Sequence, residues 1–499
     1  MNISVNPLVT KHSNLNSALR MTIGGAQVDA RDGSTMPVID PSTGRQVATI
    51  PEGKAADADR AVKAARERFQ SPEWRKMKPV ARQRLLLKFA DLIEAHADEL
   101  AELESIDAGK PLAIARNSDL ASVIDVFRYF AGWATKLTGE TLDVSVPRMP
   151  DGEFFAYTKK EPVGVVVGIT PWNFPISMAS WKLAPALAAG CTVILKPAED
   201  TSLTALRLGE LALEAGYPDG AVNIVTGRGH EIGAALVAHP GVDKVSFTGS
   251  VATGQAIGRS ALDKMTRTTL ELGGKSPVIV MPDANLDWAV TGAAMAIFFN
   301  QGQTCTAGSR LYVHRTIYDE FVERVVEAAK QLKIGPAFED GVFFGPVISE
   351  AHAEKVMSYV DTGRSEGVHL TLTGERLDRP GYFLSPTVMT GTRESMRVVQ
   401  EEIFGPVLAA APFDTEEEAI ELANGTPFGL AASIWTENLS AAHQLAAQVQ
   451  SGIVWVNCHN LFDPNLPFGG VKLSGLGKDL GRSAVESCLE QKSVMIRLQ

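Results

Sequence analysis

Cysteine is scarce in this chain: there are four in 499 residues, Cys191, Cys305, Cys458 and Cys488. They lie far apart and form no C-x-x-C pair, so neither a disulfide framework nor a zinc site is signalled. A reducing cytoplasm fits that usage. The nine histidines are scattered without ligand spacing, and no metal is expected. No apolar run is long enough to span a bilayer. Positive charge is in deficit, with 47 Lys and Arg against 58 Asp and Glu and a net charge of −11. That argues against nucleic acid or anionic membrane as the main partner. The stretch from Met1 to about Arg20 is rich in Asn and Ser and has no apolar h-region. It reads as a mobile tail over residues 1–20 rather than a signal peptide.

What is present is an ordinary globular composition, 45% hydrophobic and 21% charged, in a chain long enough for two or three domains. Val38 to Ile50 reads as a hairpin turning at Pro41-Ser42-Thr43-Gly44. Val62, Ala65 and Phe69 share a helical face, and Pro79 opens a second helix with Leu85, Phe89, Leu92 and Ile93 on one stripe. From about Val163, β-rich runs alternate with helical ones: Val163–Ile169, Thr192–Leu195, Val222–Val225, Lys244–Phe247 and Thr268–Leu272. This series predicts an α/β fold with a parallel sheet, and a second series follows from about Ser276. Thr141 to Lys159 reads as a long hairpin. The last residues alternate, Val494, Ile496 and Leu498 on one face. Such a strand needs a partner edge, from another subunit or from its own.

Against that frame a few residues are poorly explained by packing. Cys305 sits in Gln301-Gly302-Gln303-Thr304-Cys305-Thr306-Ala307-Gly308, where nothing around it fills a core. A thiol there suits a nucleophile. Glu271 stands in Leu270-Glu271-Leu272-Gly273-Gly274-Lys275, an apolar setting that raises a carboxyl pKa and makes a usable base. Asn173 lies between Pro171 and Pro175. The prolines hold it in one direction, and its amide N–H could face a developing oxyanion. Lys196 and Glu199 follow a strand, at the edge where open α/β sheets bind ligands. A carboxylate there accepts from a ribose 2′-hydroxyl and repels a 2′-phosphate, which favours NAD over NADP; a surface ion pair competes for these two residues. Gly249, Ser250 and Gly254 would let a pyrophosphate approach a helix N-terminus. Gly229 and Gly233 belong to a second Gly-rich turn that misses G-x-G-x-x-G by one residue. Each glycine turn alone is weak evidence. Gly363-Arg364-Ser365-Glu366-Gly367 matches G-x-S-x-G, but with helix before and strand after it the order is reversed, and it reads as a loop.

Taken together these motifs resemble the aldehyde dehydrogenase superfamily over nearly the whole chain after about residue 20. The resemblance rests on Pro171–Pro175, Lys196–Glu199, Phe247–Ser250, Glu271–Pro277, Gln301–Cys305, Glu402–Pro406 and Pro467–Gly470, and on the spacing from Glu271 to Cys305. It implies a Rossmann-like NAD-binding domain over 21–139 and 161–273 and an α/β catalytic domain over 274–473. A β-hairpin oligomerisation arm over 140–160 and 486–499 would complete it. It further implies a homo-oligomer, a tetramer before a dimer. The implied catalytic residues are Cys305, Glu271 and Asn173. Cofactor residues would be Trp172, Lys196, Glu199, Gly229, Gly233, Gly249, Ser250, Leu272, Glu402 and Phe404, with Lys275 in a cofactor contact or proton relay. Positions matching the family's substrate tunnel are Phe174, Met178, Trp181, Phe299, Phe462 and Phe468. That wall is apolar and carries no Arg for a second carboxylate, so an uncharged aldehyde is expected, aromatic or medium-chain; plain core packing would explain some of these rings. Two rival readings are a cofactor-independent thiol hydrolase and a non-catalytic protein on the same scaffold. The first leaves Glu199 and the βαβ series without a role, and the intact trio speaks against the second.

Overall fold

A computed structural model describes residues 19–498. Most of the expected N-terminal tail therefore lies outside the described residues. Two sheets form the frame. The larger has eight strands in the order Gly475–Leu476, Arg267–Glu271, Lys244–Thr248, Val165–Ile169, Thr192–Lys196, Val222–Ile224, Met21–Ile23 and Ala26–Val28. Five run parallel, from Arg267–Glu271 to Val222–Ile224. They are the five strands of the first βαβ series, each shifted by at most two residues. Four of them are buried along their whole length, which is why they read as continuous apolar runs rather than alternating ones.

The connectivity places the site. From Val165–Ile169 the chain adds Thr192–Lys196 and Val222–Ile224 on one side, then crosses back to add Lys244–Thr248 and Arg267–Glu271 on the other. The order reverses between Val165–Ile169 and Lys244–Thr248, so a crevice opens beyond their carboxyl ends. Pro171 to Phe174 leave one of these strands and Gly249 and Ser250 the other.

The second sheet has seven strands, His369–Leu372, Thr387–Thr390, Val407–Phe413, Arg310–His314, Pro277–Val280, Ala431–Trp435 and Ile453–Val456 in order. All pair in parallel except the antiparallel edge His369–Leu372. The short segment from Leu272 to Ser276 joins the two sheets, so Glu271 ends a strand of one while Cys305 lies in the loop before Arg310–His314 of the other.

One reading changes and one left open is decided. Gly363 to Glu366 form the last turn of the helix Glu350–Glu366, and Gly367 caps it in the left-handed region at φ 87°. The G-x-S-x-G match is thus a helix end, not a loop; the Ser365 hydroxyl donates to the Thr362 carbonyl at 2.7 Å. The C-terminal strand Leu489–Arg497 finds its partner in its own chain, pairing antiparallel with Phe154–Pro162 from Leu489↔Pro162 to Arg497↔Phe154. Its other edge stays open, with Met495, Ile496 and Leu498 exposed. Among the described residues no helix is long and apolar enough to cross a membrane.

Candidate active site

A cleft of about 320 Å³ lies at the crevice between the sheets. Cys305, Glu271 and Asn173 line it together with Trp172, Gly249, Ser250, Leu272, Glu402 and Phe404. The six tunnel positions, Phe174, Met178, Trp181, Phe299, Phe462 and Phe468, line it too. Lys196, Glu199, Gly229 and Gly233 form a separate cluster at the end of the neighbouring strand.

The loop bearing Cys305 is held by side chains. After the helix Leu286–Phe298 the backbone turns through positive φ at Asn300, Gln301 and Gly302 (49°, 56° and 71°). Non-glycine residues resist this conformation, at roughly 1–2 kcal/mol each, although Asn tolerates it best. The Asn300 amide compensates by donating to the carbonyls of Asn173 at 3.1 Å and Gln303 at 3.3 Å. The Asn173 amide donates to the same Gln303 carbonyl at 2.8 Å. One Asn173 N–H is therefore an anchor, which fixes the direction of the other. Gly274 passes directly over the loop: a Cβ there would lie 2.6 Å from the Cys305 carbonyl oxygen. Burial first, then the charges of Glu402 and Glu271, push the Cys305 thiol up to about 12; the backbone N–H groups of Thr306 and Cys305 pull the other way.

Glu271 is fixed differently. Its backbone pairs with Gly475, and Leu272 N–H donates to the Ser474 carbonyl at 2.9 Å. The Ser474 hydroxyl donates to the Gly273 carbonyl at 2.7 Å. The side chain is 2% exposed, yet neither carboxylate oxygen makes a well-formed hydrogen bond. Burial, then the nearby Asp479, holds its pKa well above the ordinary carboxyl range, while Lys182 and Lys478 oppose the rise. Lys182 and Asp479 are themselves a buried ion pair. Sequence reasoning missed both. The signal was there in Lys182, the only charged residue of the fully buried helix Pro175–Ala189.

On the crevice side, Trp172 packs edge-on against Phe404, with centroids 5.3 Å apart, and against His352 at 5.2 Å. Phe404 has φ 63°, and its carbonyl accepts from His352 Nε2 at 2.7 Å. Burial lowers the His352 pKa to about 4, so the ring is a neutral donor. Nothing in the sequence pattern singled His352 out. Glu402 accepts from Gly274 N–H at 2.8 Å, and burial raises it to about 7. Lys275 is wholly buried with no hydrogen-bond partner; burial and then Arg310 lower it to about 7.

Lys196 Nζ reaches Glu199 at 3.3 Å, and Glu199 also accepts from Gly229 N–H at 2.6 Å. Burial would raise Glu199, but Lys196 and the Gly229 N–H together hold it below the ordinary range. The second Gly-rich turn, weak evidence by itself, thus lies against Glu199. Ser250 caps the twelve-residue helix Val251–Leu262, accepting from Thr253 N–H at 3.3 Å. Gly254 also packs tightly: a Cβ there would collide with the Leu272 side chain.

The aromatic residues form two groups along the cleft. Phe174 stacks on Phe299 at 6.2 Å, and Trp181 meets Phe468 at 4.9 Å and Phe462 at 6.3 Å. Lys110 Nζ lies 4.2 Å from the Phe174 ring centre. Among the described residues no arginine lines the cleft, and its one lysine is Lys355. Ser118, Asp119, Ser122 and Asn460, none of them anticipated, add a polar margin. Among the described residues no group of His, Cys, Asp and Glu could hold a metal ion.

Comparison with known proteins agrees with this geometry. A phenylacetaldehyde dehydrogenase of Pseudomonas fluorescens is 48% identical over 96% of this chain and 95% of its own. A mitochondrial aldehyde dehydrogenase of Homo sapiens is 47% identical over 94% of this chain and 90% of its own. The NAD+ complex of a Bacillus cereus aldehyde dehydrogenase superposes with a TM-score of 0.96 at 44% identity, covering 100% of both chains. The aldehyde dehydrogenase family profile matches residues 28–494, and the chain belongs to that family.

Proposed function

We propose that this protein oxidises an uncharged aromatic aldehyde to its carboxylic acid, with NAD as electron acceptor and Cys305 as nucleophile. The observation that carries the reading is the convergence of Cys305, Glu271 and Asn173 on one cleft walled by two groups of aromatic rings. The residues present fit a dinucleotide. The Thr248 hydroxyl is buried at the cleft without a partner, Ser250 opens a helix, and Lys196 holds Glu199 ready for a ribose hydroxyl. Trp172, Leu272, Glu402 and Phe404 would border the nicotinamide end, with Gly249 near the pyrophosphate and Gly229 and Gly233 beside Glu199. When bound, NAD supplies the acceptor for the hydride leaving the aldehyde carbon.

The chain's own residues do the rest. The Cys305 S–H bond breaks with its proton passing to solvent water, and the sulfur bonds to the carbonyl carbon as the C=O π pair moves onto oxygen. The second Asn173 N–H and the Cys305 backbone N–H hold the resulting oxyanion; one such donor is typically worth roughly a hundred- to a thousandfold in rate. After oxidation the acyl group is a thioester on Cys305. Glu271 takes a proton from water, the hydroxide adds to the thioester carbon, and the C–S bond breaks to release the acid and restore the thiol. An unpaired carboxylate raised by burial is a competent base for that proton.

Relatives supply several substrate names, and that of the Pseudomonas fluorescens enzyme points to an aryl aldehyde. Trp181, Phe462 and Phe468 favour a ring, and the absence of arginine disfavours an anionic second group. With NAD, we expect phenylacetaldehyde to give the highest kcat/KM among phenylacetaldehyde, benzaldehyde, hexanal, succinic semialdehyde and betaine aldehyde, and NADP to work less well. Better turnover of succinic semialdehyde or betaine aldehyde would refute the aromatic assignment.

We also infer a homo-oligomer, tetramer before dimer, built through the arm. The open edge of Leu489–Arg497 and its exposed Met495 and Ile496 support it, since an unpaired edge invites a second strand. Light scattering that returned a monomer would refute this.

A further inference from the structure

The segment from Asn457 to Phe462 connects the aromatic wall to the nucleophile loop. It is anchored at both ends. The Asn457 amide exchanges hydrogen bonds with Thr436, accepting from its N–H at 3.0 Å and donating to its carbonyl at 2.9 Å. Trp455 Nε1 donates to the Leu461 carbonyl at 2.9 Å. Asn457 and Asn460 both adopt the left-handed region, at φ 54° and 55°. Between these anchors two side chains grip a single residue. His459 Nε2 lies 2.9 Å from the Thr306 carbonyl, and the Thr306 hydroxyl donates to Asn460 Oδ1 at 2.7 Å. Thr306 is completely buried and directly follows Cys305. The same segment ends at Phe462, which packs on Trp455 at 5.6 Å and on Phe468 at 5.6 Å, while the His459 ring lies 4.8 Å from Trp455.

We propose that His459 and Asn460 are positioning residues for the nucleophile: by clamping Thr306 at its carbonyl and its hydroxyl they fix this residue directly after the sulfur-bearing one, and so tie the aim of the thiol to the loop that carries Phe462. This rests on the reading of Cys305 as nucleophile. Two further observations agree with it. The Thr306 N–H is one of the groups that favour the Cys305 thiolate, and it can do so only while Thr306 is held in place. Burial keeps His459 neutral, with a pKa near 4. Nε2 therefore donates to Thr306, and the clamp persists across the working pH range. Small displacements matter here, because reactive groups lose about a hundredfold in rate for a shift near 1 Å.

The test uses Thr306→Val, Asn460→Gly, their double variant, and Asn460→Asp. Glycine suits the left-handed backbone at position 460, so the variant removes the grip without adding strain. Two readouts are taken: phenylacetaldehyde oxidation with NAD, and the rate of Cys305 alkylation by iodoacetamide across pH. Each single variant is expected to lower kcat and alkylation about tenfold with KM within about twofold, the scale of one buried hydrogen bond. The double variant should fall no further than the worse single, because both remove the same contact. Asn460→Asp should keep most activity, since a carboxylate accepts from the same hydroxyl. Independent, multiplying losses in the double variant, or an unchanged alkylation rate in Asn460→Gly, would overturn the clamp. Wild-type protein that alkylates but reduces no NAD would instead refute the proposed function, and the alkylation series would still decide the clamp.

Discussion

The cleft holds two reactive groups that are immobilised in opposite ways. Around Cys305, side chains do the fixing: Asn173, Asn300, Gln303 and Thr306 are cross-bonded, and the backbone is forced through left-handed turns. Around Glu271, the backbone is fixed by Gly475 and Ser474 while the carboxylate is left without a well-formed hydrogen bond. The difference matches the roles proposed for them. A nucleophile and its oxyanion donors gain from pre-set geometry. A base that meets water after the acyl group has formed gains from a raised pKa and a free oxygen, and a hydrogen bond to its charged form would lower that pKa. Removing the group that must hold still should therefore cost more than removing the one that must titrate.

Cys305→Ala is the largest expected effect. With no atom to carry the acyl group, NAD reduction should fall by at least about 10⁴, as for other nucleophile deletions. The measurement is steady-state NADH formation, with intact-mass analysis for any acylated protein. A variant retaining a tenth of the activity would show that the bonding around Cys305 serves something other than attack.

Glu271→Gln should spare attack and impair release. We expect a first turnover of NADH near the wild-type rate, followed by a steady state slower by roughly 10² to 10⁴, the range of general-base contributions. The sign of the pH dependence follows from the raised carboxyl. Glu271 acts ionised, so wild-type hydrolysis should be weak at acidic pH and climb as pH rises through the elevated pKa. The glutamine variant should lack that rise. Rapid-mixing absorbance at several pH values checks both, and loss of the first turnover in the variant would move Glu271 into the attack step.

The two environments also differ in how far they were legible in sequence. Cys305, Glu271 and Asn173 stand out because each violates its surroundings: a thiol without a core, a carboxylate among leucines, an amide between prolines. The parallel strands were visible as uninterrupted apolar runs. What supports these groups was not visible, because Ser474, Asp479, His459 and Asn460 arrive from segments more than a hundred residues away in chain. Polar residues in loops are ordinary until the fold shows what they touch. Gly254 illustrates a further gap: a glycine near a helix start suggests phosphate binding, and its close contact with Leu272 shows only in the fold.

The smallest effect expected is also the most discriminating for the nucleophile side, and it concerns Asn300. Its side chain touches neither sulfur nor base; it bonds the carbonyls of Asn173 and Gln303, and its backbone sits at φ 49°. Asn300→Gly preserves the turn and removes only the two bonds, whereas Asn300→Ala removes the bonds and adds left-handed strain of about 1–2 kcal/mol. If those bonds aim the Asn173 amide, Asn300→Gly should lower kcat about tenfold, the worth of one or two hydrogen bonds, and leave the pH profile set by Glu271 in place. Asn300→Ala should show the same loss in kcat together with a lower melting temperature. Equal melting temperatures for the two would mean the turn carries no strain, and an unchanged kcat in Asn300→Gly would mean that the oxyanion donor is aimed by its flanking prolines and its bond to the Gln303 carbonyl without help from Asn300.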